Sequence, residues 1–222
     1  MSIATEPELQ IRNQPTVVVE VEDQPLLSWP IVFPLDAQIK VSLFDFQRIS
    51  SLNQETRLER SAEGELIVMP PESSWSGHRN SKISQYLGLW ADQYGGYEFG
   101  SSAGFILPNG ACRSPDSSWI SIERWNSLSG TDRAGFARIC PDFVIELRSP
   151  SDSLTTLQSK MQEYLANGSK LGWLIDPSTK SVTIYRPGQG SPELLDNPRQ
   201  LSGEAILPGF TLDLSVIFKE PD

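Results

Sequence analysis

Pro141-Asp142-Phe143-Val144-Ile145-Glu146-Leu147-Arg148-Ser149-Pro150 is the stretch on which the fold turns. Phe143 to Leu147 has the aromatic and β-branched character of a strand, and Ser149-Pro150 closes it. Side chains alternate across a strand, so Glu146 and Arg148 share one face while Ile145 and Leu147 share the other. A central strand fills both faces with apolar residues, and a charge there needs a partner or a metal. Upstream, Arg113-Ser114-Pro115-Asp116 sets a second carboxylate at the start of another short apolar strand, 118–122. Two such carboxylates are the minimum for holding a hard divalent cation against a phosphodiester.

Working outward, residues 154–166 read as a helix, 172–176 as a strand and 181–185 as its hairpin partner. A helix between two buried strands is a crossover that keeps those strands parallel. On the N-terminal side, Phe44, Phe46, Ile49 and Leu52 have helical spacing, with Asp45 near the start. Residues 58–69 resemble a hairpin turning through Ala62-Glu63-Gly64. Pro70-Pro71 ends it, and Ser74 or Ser76 caps a helix to about Tyr94, with Ile83, Tyr86, Leu87 and Trp90 along one stripe. Gly95-Gly96 stops that helix. Short strands are expected near 97–100 and 105–107, a loop over 127–138, and a return to the core over 206–218. Residues 1–40, rich in Pro, Gln and Glu, read as a mobile or loosely docked arm on a single domain spanning 41–222. The element order indicates an α/β (α+β) fold with a mixed sheet.

Composition sets bounds. The 222 residues suit one domain with a sizeable core. No apolar run approaches the roughly 20 residues needed to cross a membrane, and no signal-peptide pattern is present, so a cytoplasmic location is expected. Cys112 and Cys140 are too few for a disulfide framework and read as reduced thiols. The net charge of −10 opposes nucleic-acid binding. Residues 111–170, however, carry seven Lys or Arg and seven Asp or Glu, so the acidic excess lies outside the segment with the candidate site.

The candidate chemistry is therefore metal-assisted. Asp116 and Glu146 are the candidate ligands for Mg²⁺ or Mn²⁺, with the Leu147 carbonyl as a further oxygen. Against this, Asp116 could be a turn aspartate and Glu146 the partner of a buried Arg, with Arg148 at hand two residues along. Arg148 offers fixed positive charge but is a poor base. Lys160, on the following helix with Leu157 and Tyr164 as helical neighbours, is the other candidate cation. His78, the single histidine, rules out a two-histidine metal site; it opens the 74–94 helix and is an auxiliary candidate. Glu65 and Glu59, on the hairpin, could face the site, though a solvated face is the simpler expectation. There is no Gly-rich phosphate loop of the nucleotide-binding kinds.

Taken in order, Gly64-Glu65-Leu66-Ile67-Val68-Met69-Pro70, His78, Arg113-Ser114-Pro115-Asp116, Pro141-Asp142-Phe143-Val144-Ile145-Glu146, Ser149-Pro150-Ser151-Asp152, Lys160 with Tyr164, Gly172-Trp173-Leu174-Ile175-Asp176-Pro177 and Leu207-Pro208-Gly209-Phe210 resemble the Uma family of restriction-endonuclease-like proteins in the PD-(D/E)XK nuclease superfamily. The resemblance spans about 44 to 218. It implies a restriction-endonuclease-like core, a central mixed sheet flanked by helices, with metal ligands at Asp116 and Glu146. In the superfamily's simplest pattern a lysine follows the acid by two residues. Arg148 stands there instead, so the resemblance implies that Lys160 supplies the cation from the adjacent helix.

Three functions are consistent with these residues. The first is a metal-dependent endonuclease acting on DNA, as a homodimer because cutting two strands takes two sites. The second is a non-catalytic nucleic-acid- or protein-binding module, or regulator, on a nuclease fold. The third is a hydrolase of smaller phosphoesters, which an acidic protein binds with less penalty.

Overall fold

All five residues of Phe143–Leu147 are buried in the computed structural model, which describes residues 17–18 and 39–220. Apart from Val17–Val18 and Ile39–Lys40, the proposed N-terminal arm lies outside the described residues. In chain order the elements are β1 (Val17–Val18), β2 (Ile39–Lys40), α1 (Leu43–Leu52), β3 (Leu58–Arg60), β4 (Leu66–Val68), α2 (Ser74–Tyr94), β5 (Tyr97–Gly100), β6 (Phe105–Ile106), β7 (Cys112–Arg113) and β8 (Ser117–Ile120). Short helices α3 (Ile122–Ser127) and α4 (Gly130–Arg133) lead to β9 (Phe143–Leu147), α5 (Leu154–Ala166), β10 (Leu171–Asp176), β11 (Ser181–Tyr185), β12 (Glu193–Asp196), β13 (Gln200–Ser202), β14 (Thr211–Asp213) and α6 (Leu214–Ile217).

The main sheet has six strands in the order β12-β11-β10-β9-β8-β5. Strand β9 pairs in parallel with β10, through the α5 crossover, and antiparallel with β8. The sheet is thus mixed, as the helix between two buried strands requires. Its odd-numbered face at β9 (Phe143, Ile145, Leu147) packs against Ile83, Leu87 and Trp90 of α2. Leu207, Phe210 and Leu212 from the returning C-terminal segment complete that core. The even-numbered face carries Val144 and Leu174 against Met161 and Tyr164 of α5. Each fully buried side chain of this size contributes about 1.5–3 kcal/mol. A second, small sheet, β4-β3-β7-β6, is covered by Phe46 of α1 and joins the main sheet through Arg113 to Asp116.

Local signals explain the helix limits. Ser73 caps α2 by accepting from Ser76 N, one residue before the expected cap, and Ser153 caps α5 by accepting from Thr156 N. The stripe of α1 differs from expectation. Phe46 is fully buried, whereas Phe44 and Leu52 are exposed, because the small sheet is narrow and covers only one ridge of the helix. The 127–138 loop contains α4, started by Ser129 accepting from Asp132 N. Strands β12 and β13 had no clear period in the sequence. Strand β12 lies at the sheet edge with Leu194 exposed, so alternation is not enforced by burial. Cys112 and Cys140 are free and buried, and burial pushes the thiols up to about 11 and about 12.

Helix α2 ends where Gly95 and Gly96 take φ of 93° and 89°. A Cβ on Gly96 would also lie 2.1 Å from Trp119 Nε1, which donates to Gly95 O. Gly96→Ala is therefore expected to destabilise the fold by about 2 kcal/mol or more in urea denaturation. An unchanged midpoint would mean that this turn does not hold Trp119 in the core.

Candidate active site

The register β8–β9 pairs Ser117 with Ile145, so one further step sets Asp116 opposite Glu146 on the α5 side of the sheet. Asp116 Oδ2 accepts from Leu147 N at 2.9 Å, which ties the head of β8 to the end of β9. Glu146 is buried, and its Oε1 accepts from Tyr164 OH at 3.0 Å and pairs with Lys160 Nζ at 2.9 Å. Both partners come from the inward face of α5, four residues and one helical turn apart. Lys160 is only 8% exposed, so the crossover helix delivers its ammonium to the sheet and not to solvent.

The small sheet closes the site from the other side. Glu59 of β3 is buried and pairs with Lys160 at 2.8 Å, with Arg113 at 3.2 Å, and accepts from Ser114 N at 2.9 Å. Arg57, two residues earlier on the same face, pairs with Asp116 at 3.2 Å and with Glu72 at 3.3 Å, and donates to Ser114 O. Two chains of ion pairs result. One runs Glu72–Arg57–Asp116, the other Glu163–Arg113–Glu59–Lys160–Glu146. Each begins and ends on a carboxylate, and five acids against three cations leave two negative charges unbalanced. The chains terminate side by side at Asp116 and Glu146.

The protonation states follow from this arrangement. Burial pushes the Glu146 carboxyl up to about 7; Lys160 opposes that rise, and Asp116 and Glu59 add to it. Burial also raises Asp116, against the pull of Arg57 and Lys160. Burial works to lower Lys160, but Glu146, Glu59 and Asp116 outweigh it and hold the ammonium above its ordinary range. Burial works against ionised Glu59 too, yet Lys160 and Arg113 keep it below the usual carboxylate range. Lys160 is thus a fixed cation at neutral pH, and Glu146 is the site's titrating acid.

The structure brings together Asp116, Glu146 and Lys160. It does not bring in Arg148, whose guanidinium pairs with Asp176 at 2.6 Å across the parallel β9–β10 register. His78 is exposed and stacks on Trp75 with centroids 5.0 Å apart. Glu65 is half-buried at the start of the hairpin's second strand and makes no ion pair among the described residues. Glu59 was expected on a solvated face and is buried instead, because the hairpin packs over the main sheet. The signal for it was the Arg57-Leu58-Glu59 alternation, which sets two opposite charges on one face.

Among the described residues no group of three or more His, Cys, Asp or Glu forms a ready metal cage. Magnesium does not require one, since one or two carboxylates with water and substrate phosphate complete its shell. Both hydrogen-bonding partners of Glu146 use Oε1, leaving Oε2 as an acceptor with no donor among the described residues. That oxygen, the neighbouring Asp116 and the local surplus of two negative charges fit a divalent cation.

The fold is nuclease-like, and the chain belongs to the Uma2 family, described as "Putative restriction endonuclease", whose family model matches residues 43–215. A solved structure described as "a putative nuclease belonging to DUF820" from Anabaena variabilis ATCC 29413 is similar, with a TM-score of 0.63 and 24% identity over 74% of this chain and 90% of that one. At that identity the likeness is one of fold. No curated protein matches the chain. No helix among the described residues is long and apolar enough to cross a membrane.

Because Glu146 titrates higher in the folded chain than its ordinary value of 4.5, the folded state binds that proton more tightly. Its contribution to stability therefore falls as pH rises from about 4.5 to about 7. In EDTA, Glu146→Gln is expected to gain stability relative to wild type between about pH 5 and about pH 8, by on the order of 2 kcal/mol in urea denaturation. A difference that does not change with pH would mean that Glu146 ionises in the ordinary carboxylate range.

Proposed function

We propose that this protein is a divalent-cation-dependent endonuclease that hydrolyses phosphodiester bonds in DNA. The observation that carries the reading is the meeting of Asp116 and Glu146 with a protonated Lys160, 2.9 Å from Glu146. Asp116 and Glu146 would hold Mg²⁺ or Mn²⁺, with the Leu147 carbonyl as the further oxygen. Bound there, the cation supplies charge stabilisation at the phosphoryl oxygens.

The chain's own residues do the rest. Lys160 carries a fixed positive charge toward the reacting phosphate and does not act as a base, because its three carboxylate neighbours keep it protonated. Glu59 and Tyr164 hold Lys160 and Glu146 in one geometry, so little reorganisation accompanies charge development. Arg148 is committed to Asp176 and has a structural role in this scheme. A homodimer would present two such sites to a duplex.

One observation favours the second reading, a binding module without cleavage. Both oxygens of Asp116 already have protein partners, Arg57 and Leu147 N. Cleavage of supercoiled plasmid and of single-stranded DNA in Mg²⁺ or Mn²⁺ separates the two. Wild type is expected to nick, with Asp116→Ala, Glu146→Ala and Lys160→Met each about 10²-fold slower or worse. Activity that survives both carboxylate substitutions rejects the site. Intact DNA that is nevertheless bound by wild type favours the binding module.

A further inference from the structure

Arg57 is unusual among the cations of the site. Its NH2 group touches Asp116 Oδ1 at 3.2 Å and Ser114 O, and its NH1 group reaches Glu72 at 3.3 Å. Its Nε–H is buried and has no acceptor among the described residues. A buried guanidinium donor without an acceptor is costly and calls for a further oxygen. The side chain is nonetheless 20% exposed, and its two carboxylate partners, Glu72 and Asp116, line a cleft of about 540 Å³ together with Asn80 and Glu98. Three carboxylates along that cleft repel a phosphodiester. Arg57, paired with two of them, is the nearby cation that can be released to meet one.

A divalent cation at Asp116 competes with Arg57 for the same carboxylate. Its arrival both neutralises the cleft and frees the guanidinium, whose planar fork matches a phosphate. We propose that Arg57 is a phosphate-binding residue for the substrate strand, held on Asp116 until a divalent cation takes its place there. The inference rests on the endonuclease reading and adds an order to it: cation first, then DNA. Lys160 does not exchange partners in this way: Glu59 and Glu146 hold it in place, and it acts on the reacting phosphate as a fixed charge.

Two binding measurements test it without reference to cleavage. Mn²⁺ binding is followed by electron paramagnetic resonance, and binding of a short labelled duplex by fluorescence anisotropy in Ca²⁺ over a range of salt. Arg57→Gln is expected to bind Mn²⁺ roughly fivefold to tenfold more tightly, because a competing ion pair is gone. The same variant is expected to bind the duplex about tenfold more weakly, with a salt slope shallower by about 1. Arg57→Lys keeps the charge without the fork, so it retains the salt slope while duplex affinity falls part of the way. It also serves if the glutamine variant does not fold, which circular dichroism reports.

Equal Mn²⁺ affinity in wild type and both variants overturns the competition at Asp116. Tighter Mn²⁺ with unchanged duplex affinity and salt slope overturns the phosphate contact. Mn²⁺ bound by none of the three proteins instead removes the metal site itself, and with it the endonuclease reading and this inference.

Discussion

A lysine ammonium enclosed between Glu59 and Glu146 is the interaction on which the rest of this structure depends. Removing three charges from water costs several kcal/mol per ion, and their mutual attraction offsets this only when every group is well partnered. The partners are spread along the chain: Glu59 on the small sheet, Glu146 on the central strand, Lys160 on the crossover helix. The triad therefore forms only when the hairpin, the main sheet and α5 are docked together. Arg113 and Tyr164 complete the bonding, and the same docking brings Asp116 beside Glu146.

The charge surplus is as informative as the pairing. A purely structural network would be expected to balance, since buried unbalanced charge is expensive. Here each chain of ion pairs ends on a carboxylate, and both ends meet at one point, with Glu146 driven toward neutrality by its surroundings. Perturbed acids of this kind beside a fixed cation are a common feature of functional sites. Asp142 shows the contrast. It is also buried and stands four residues before Glu146, but Arg124 and Lys170 balance its charge and Ser121 N donates to it just ahead of β9, which marks it as structural.

The family assignment and the site bear on function in different ways. Membership of Uma2 and likeness to a DUF820 structure give a nuclease-like fold. A fold hosts many activities, so the case for phosphodiester chemistry is made by three side chains and their charges. The acidic character of the whole chain does not contradict that case. Under the proposed function, a cleft lined by carboxylates would disfavour DNA only until a divalent cation occupied it, and the metal would then be a condition for substrate approach as well as for chemistry.

Much of this was legible in the sequence. The apolar run around Glu146, the capped helix after it and the strand at Trp173 together require a central parallel pair with a crossover, because burial on both faces and the length of the connection leave few alternatives. The alternation rule assigned Glu146 to the face opposite Ile145 and Leu147, and helical spacing turned Lys160 toward the core with Tyr164. Local pattern could not say which cation meets which acid. Arg148 and Lys160 were both within reach of Glu146 by spacing alone. The parallel register decided it by setting Asp176 beside Arg148. Glu59 and Arg57 lay on a hairpin with no pattern to show what covered it, and their burial follows from how two sheets pack. Periodicity fixes the face a side chain takes on its own element; only tertiary docking decides what waits on that face, because ion pairs between distant segments leave no local trace.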